Sequence, residues 1–171
     1  MALTLSGSSP SLQSYQGGAI TSGTAVASTL GTSIDFTGIP SWVKRVTVMF
    51  KSVSLSGTAN ILVQIGAGTP ETTGYSSSSI YGGSASGNAS STAGFLFIDG
   101  SGSNVVSGTM VITNLSGNNW VETGMVANDG GTVIVTSVGA KSTSSITSIV
   151  RITTSNGTDT FDAGSINILY E

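Results

Sequence analysis

Between Arg45 and Lys51 the side chains alternate: Val46, Val48 and Phe50 are interleaved with Arg45, Thr47, Met49 and Lys51. A period of two is what a strand with one buried face requires, because successive Cβ atoms point to opposite sides of a sheet. The pattern recurs along the chain. Ile61, Val63 and Ile65 form a second set; Phe95 and Phe97 alternate with Leu96 and Ile98; Val106, Met110 and Ile112 share a face; Val133 and Val135 follow; Ile146, Val150 and Ile152 share a face; Ile166, Ile168 and Tyr170 close the series. Turn signals separate these runs: Ser56-Gly57-Thr58, Asp99-Gly100, Ser116-Gly117-Asn118 with Trp120 to Val126 returning, Asn128-Asp129-Gly130-Gly131, and Asn156-Gly157, the strongest short hairpin signal present. No long stretch carries a 3.6-residue period. About eight to ten strands at a spacing of roughly 8–12 residues predict an antiparallel β-sandwich, jelly-roll-like, over residues 33–171.

Two stretches are less regular. Residues 1–32 are dominated by Ser, Gly, Thr and Ala, and read as an extended N-terminal arm or attachment segment, either a flexible terminus or an arm that docks on a neighbouring subunit. Ala25 to Ala27 and Ile34 to Phe36 are short apolar pieces with strand potential. Residues 66–92 are rich in Gly, Ser and Thr. Structureless loops longer than about 12–15 residues are uncommon in compact domains, so a weak strand through Tyr75 to Tyr81 is expected together with a functional loop.

Composition narrows the chemistry. The 171 residues include 38% hydrophobic side chains, enough for a core, but charged residues make up only 8% and net charge is −3. Hydroxyls supply the missing polarity, Ser and Thr together accounting for about a third of the chain. Without cysteine or histidine there is no disulfide, thiolate nucleophile or zinc–thiolate site, and the commonest general base and metal ligand is missing. Lys44, Arg45, Lys51, Lys141 and Arg151 are too scattered for a nucleic-acid patch. No apolar run approaches the roughly 18–20 residues of a membrane-spanning helix, and the start Met1-Ala-Leu-Thr-Leu-Ser6 lacks the pattern of a signal peptide. Cytoplasmic synthesis without membrane insertion is expected.

The remaining candidates are weighed on their residues. The acids Asp35, Glu71, Asp99, Glu122, Asp129, Asp159, Asp162 and Glu171 sit mostly at turn positions, where Asp bonds local backbone groups. Asp159 and Asp162 have the oxygen chemistry of calcium ligands, but six to eight oxygens are needed and no EF-hand spacing is present; bonds to nearby amides or hydroxyls are expected instead. Neither Gly66-Ala-Gly68 nor Gly100-Ser-Gly102 continues into a phosphate loop. Catalytic, cofactor and metal residues are therefore expected to be none. Pro40 sets an extended approach to the strand that follows, Trp42 is expected as a core anchor at its start, and Phe161 as a core anchor near the C-terminus. Tyr75, Ser76, Ser77, Ser78, Ser79 and Tyr81 are the best candidates for a recognition patch, since Tyr and Ser give contact area and adaptable hydrogen bonds at low entropic cost. The competing reading places the tyrosines in an inner strand.

Two segments, Ser33-Ile-Asp-Phe-Thr-Gly-Ile-Pro-Ser-Trp-Val-Lys-Arg-Val-Thr-Val-Met-Phe50 and Val150-Arg-Ile-Thr-Thr-Ser-Asn-Gly-Thr-Asp-Thr-Phe-Asp-Ala-Gly-Ser-Ile-Asn-Ile-Leu-Tyr-Glu171, resemble a module of tailed-bacteriophage tail-fibre and virion structural proteins. The similarity covers about residues 30–171 and diverges over residues 66–104. It implies a β-sandwich, no enzymatic chemistry, and a place on the virion surface, as a tail-fibre, receptor-binding or attachment component or as a capsid decoration (cement) protein. It further implies a homo-oligomer, a trimer by analogy, contacting other virion proteins and a host surface glycan or protein. A carbohydrate-binding module is the alternative from another class, and would need an exposed aromatic platform.

Overall fold

The alternation that starts at Arg45 becomes β4 (Arg45–Leu55), with Val46, Val48 and Phe50 buried. The computed structural model describes residues 20–98 and 101–171, and every element among them is a strand. The others are β1 (Thr21–Ser22), β2 (Val26–Ala27), β3 (Ser33–Thr37), β5 (Ile61–Ala67), β6 (Thr69–Pro70), β7 (Tyr75–Gly83), β8 (Gly87–Ser91), β9 (Phe95–Phe97), β10 (Val106–Ser116), β11 (Asn119–Asn128), β12 (Val133–Ser142), β13 (Ile149–Thr154) and β14 (Phe161–Tyr170). They form two antiparallel sheets packed against each other, the expected sandwich. The larger runs β1-β14-β4-β10-β11-β12-β7-β8, with β2 also on β14; the smaller runs β3-β13-β5-β6, with β9 also on β5.

The core lies between the sheets and draws on both. Val48, Met110, Ile112 and Ile166 come from the larger sheet, and Ile61, Val63, Val150 and Ile152 from the smaller. The short aromatic strand β9 reaches into the larger sheet. Phe97 packs edge-on against Phe50 with centroids 5.7 Å apart, and Phe95 against Tyr75 at 5.0 Å. Two glycines make room. A Cβ on Gly124 would lie 2.4 Å from Phe97 Cζ, and one on Gly139 would lie 2.7 Å from Phe95 Cδ1.

A bulge bends β4. Ser52 has φ 51°, and the register shifts against β10 on one side and β14 on the other. One extra residue reverses the face on which later side chains fall. Burial therefore moves from Val46, Val48 and Phe50 to Val53 and Leu55. On β14, Gly164 (φ 92°) faces the bulge, and a Cβ there would sit 2.2 Å from the Ser52 carbonyl oxygen.

Several expectations need correction. Strands are more numerous than eight to ten, because two-residue pairings such as β1, β2 and β6 carry no periodic signal. Trp42 is 36% exposed, in the turn where Val43 N–H donates to the Pro40 carbonyl at 3.1 Å. Val43 and Ile39 take the buried places there. Ile146 is exposed in the loop before β13, so Val150 and Ile152 share their buried face without it. Asn156-Gly157 is not a hairpin between paired strands: β13 and β14 belong to different sheets. Asn156 Oδ1 accepts from the Thr158 and Asp159 amides, both at 3.0 Å, and shapes a turn that carries the chain across the sandwich. The strand expected through Tyr75 to Tyr81 is present as the nine-residue β7, but the rest of residues 66–92 is less loop than expected, since it holds β6 and the hairpin partner β8. In the segment read as an arm, Thr21, Ser22, Val26 and Ala27 pair with β14 of the same chain. Residues 1–19 of that arm, and the Asp99-Gly100 break, lie outside the described residues.

Candidate functional site

Strand β7 divides the candidate recognition residues between two faces, as its period requires. Ser76 and Ser78 point outward and are exposed, with Ile80 beside them. Tyr75, Ser77 and Ser79 point inward and are buried. Tyr81, also inward, is half-buried and lines a cavity of about 280 Å³ together with Ile98, Asn104, Val106, Asn128 and Val135. The six residues thus do not form one surface.

The inward members hold the sandwich together. Tyr75 Oη accepts from the Ile65 amide at 2.8 Å and lies 3.1 Å from the carbonyl oxygens of Ile65 and Glu71, linking the two sheets. Burial pushes its phenol well above the ordinary range. Ser77 Oγ accepts from the Leu96 amide at 2.9 Å; Ser79 Oγ accepts from the Ile98 amide at 3.4 Å and donates to the Thr136 carbonyl at 2.9 Å. These hydroxyls satisfy backbone groups of β9 and of the loop after it.

Two charged residues of the larger sheet also face inward. Lys141 is buried, with Nζ 2.5 Å from Glu71 Oε2 and 5.2 Å from the centre of the Tyr75 ring. Burial works against the Glu71 carboxylate, but Lys141 and the Ser144 amide and hydroxyl outweigh it and hold the group below its usual range. Glu122 accepts from Ser137 Oγ at 2.6 Å through Oε1, while Oε2 is buried without a hydrogen bond. Burial raises its pKa to about 7, against the lowering effect of the Ser137 bond. Neither residue stands out by a motif around it. A signal is nonetheless present: Glu122 shares strand parity with Trp120 and Val126, and Lys141 with Val135.

The other described acids bond mostly to groups distant in sequence, not to their own turns. Asp35 binds Arg151 through both oxygens, at 2.6 and 2.7 Å. Asp129 accepts from Ser107 at 2.8 Å, Asp159 from the Ala59 amide at 2.8 Å, Asp162 from the Ser54 hydroxyl, and Glu171 pairs with Arg45. Among the described residues no group of three or more acids gathers around a point where a metal ion would sit. Phe161 is in the core, as its position predicted.

On the outer side of the larger sheet the register aligns Thr109, Met125, Thr136 and Ile80 in one row and Val111, Thr123, Val138 and Ser78 in the next. Ile80, Met125, Ile134 and Val138 are each at least half exposed. These two rows offer apolar and hydroxyl contact and no titratable group. Compared with protein-family models, with curated proteins and with solved structures, the chain matched none.

Proposed function

We propose that this chain is a structural component of the surface of a tailed-phage particle, a tail-fibre, receptor-binding or attachment component that works by contact and without catalysis. The observation that carries the reading is the pairing of the two segments that resemble the phage module. Residues 33–37 lie beside residues 149–153 in the smaller sheet, with Phe36 opposite Val150. Residues 46–50 lie beside residues 166–170 in the larger, with Phe50 opposite Ile166. Segments more than a hundred residues apart thus join into one frame spanning both sheets. Residues 66–104, where the resemblance fades, include β7, β8 and β9 and the cavity wall at Tyr81 and Ile98.

The test is the particle itself. Mass spectrometry of purified virions should find the chain at stoichiometric level, and immunogold labelling should place it on the tail. Labelling spread over the head would favour capsid decoration instead, and absence from particles would overturn the proposal. A second reading has one observation in its favour. Trp42 is partly exposed beside Tyr170, with ring centroids 6.2 Å apart and planes tilted by 51°, an aromatic pair of the kind that saccharide rings stack on. Glycan-array binding lost in Trp42→Ala would support it.

A further inference from the structure

The neighbouring strands β10, β11, β12, β7 and β8 carry two charged residues between them, Glu122 and Lys141, and both point into the core. A sheet with one solvated side normally shows the reverse, apolar residues inward and charged or polar ones outward. Long, flat, exposed strands are ordinarily guarded by lysine or other charges. Here the outward positions are Thr, Val, Ile, Met, Ala, Ser and similar neutral residues, and the large apolar ones, Ile80, Met125, Ile134, Val138 and Val121, stand diagonally to one another with Thr, Ser, Ala or Gly at the register positions between them.

From this inversion we infer that the outer face of the larger sheet is the surface through which copies of this chain pack on one another, the same face meeting the same face. The absence of charge calls for an equally uncharged occupant, which a second copy supplies. Two neutral faces brought together set no like charges opposite each other, whereas a charged partner would have to desolvate its ions against apolar side chains without compensation. Interface cores of homo-oligomers are likewise depleted of charge and more apolar than the remaining surface. Size agrees. Strands β10, β11, β12 and β7, at about 4.8 Å spacing and about eight residues long, together with the five-residue β8, give about 600 Å² per copy and about 1,200 Å² between two. Specific interfaces bury about 1,200–2,000 Å². Arg45 and Lys51 lie on β4, at one margin of the field.

The inference rests on the contact reading above and names its partner and surface. It is tested on purified full-length protein, so that its failure is separable from a failure to find the chain in particles. Sedimentation at tens of micromolar should show a dimer, because a face that meets itself pairs copies two by two, whereas the trimer implied by analogy would need two different surfaces in contact. Val138→Lys and Val138→Glu, each on the exposed face, should each give a monomer with an unchanged β-type circular dichroism spectrum and a melting temperature that no longer depends on protein concentration. Mixing the two variants should restore association at low salt, because opposite charges then face each other. A monomeric wild-type protein would overturn the inference; if the chain were nevertheless present in particles, the face would belong to another virion protein. Oligomers that survive both substitutions would overturn it too. So would monomeric variants that stay apart on mixing, since the face would then meet a different surface.

Discussion

The Ser137 hydroxyl donates a 2.6 Å hydrogen bond to Glu122 Oε1, and the other oxygen of that carboxyl is buried without a partner. One bond does not replace the hydration of a full carboxylate, so burial favours the protonated form and the pKa rises to about 7 from an ordinary 4.5. The folded protein thus holds this proton more tightly than the unfolded chain. The contribution of Glu122 to stability is fully present below pH 4.5, falls as pH rises, and is lost above about 7. A shift of this size corresponds to roughly 3 kcal/mol over the whole range, most of it falling between pH 5 and 8. Glu122→Gln should remove the dependence. Unfolding followed by circular dichroism should show the variant gaining on the wild type between pH 5 and 8, by an amount on the order of 2 kcal/mol. Parallel pH curves would rule the account out.

The Glu71–Lys141 pair is asymmetric, because Lys141 is buried while Glu71 keeps 22% of its side chain accessible. Removing the acid strands a buried ammonium; removing the base leaves a carboxylate that water reaches. Glu71→Gln should therefore cost about 1–3 kcal/mol, short of the about 3–5 expected of a fully buried pair. Lys141→Met, of similar volume, should cost less than Glu71→Gln. Because the folded-state pKa of Glu71 is depressed, its stabilisation holds above the ordinary carboxylate value and is lost as pH falls through the folded one. Equal costs for the two substitutions in urea titrations at pH 7 would contradict this asymmetry.

Gly139 has no side chain where the Phe95 ring sits, so the strand supplies an aromatic seat by omission. A methyl group there would meet Phe95 Cδ1 at 2.7 Å and the Ser76 carbonyl oxygen at 3.1 Å. Overpacking of this kind costs about 1–3 kcal/mol. Gly139→Ala should lower stability by that amount, and Phe95→Leu, which shortens the opposing side chain, should recover part of the loss. A double-mutant cycle reads the coupling directly, and a coupling energy of zero would remove the steric explanation.

How legible all this was depended on whether period two and burial coincided. They coincide at Val46, Val48 and Phe50, and at Val106, Met110 and Ile112, so those strands and the sandwich they build could be read from the sequence. The Ser116-Gly117-Asn118 turn joins β10 to β11 as written. In β7 the buried positions after Tyr75 are Ser77 and Ser79, whose hydroxyls serve backbone amides of a strand nearly twenty residues on and of the residue after it. Polar residues on both faces hide the period, and the six candidate residues therefore looked like one patch. At Asn156-Gly157 the local turn chemistry is real, but which sheet receives the next strand depends on where Phe161 finds its core. Trp42 misled for a related reason: its neighbours Ile39 and Val43 fill the buried site, and the indole is left over Tyr170.

Tyr75 provides the test of which side of β7 matters. Its ring packs edge-on against Phe95, and its hydroxyl satisfies the buried Ile65 amide across the gap between sheets. Tyr75→Phe keeps the ring and strands that amide, which should cost about 1–3 kcal/mol. Tyr75→Ala also empties the aromatic site and should cost about 3–5 kcal/mol. Ser78→Ala, further along the strand and on the opposite face, should stay within about 0.5 kcal/mol of wild type. Thermal and urea unfolding should show the largest loss for Tyr75→Ala, a smaller one for Tyr75→Phe and the smallest for Ser78→Ala. If Tyr75→Ala unfolded like the wild type, the tyrosine would not be holding the two sheets together, and a role in surface recognition would return.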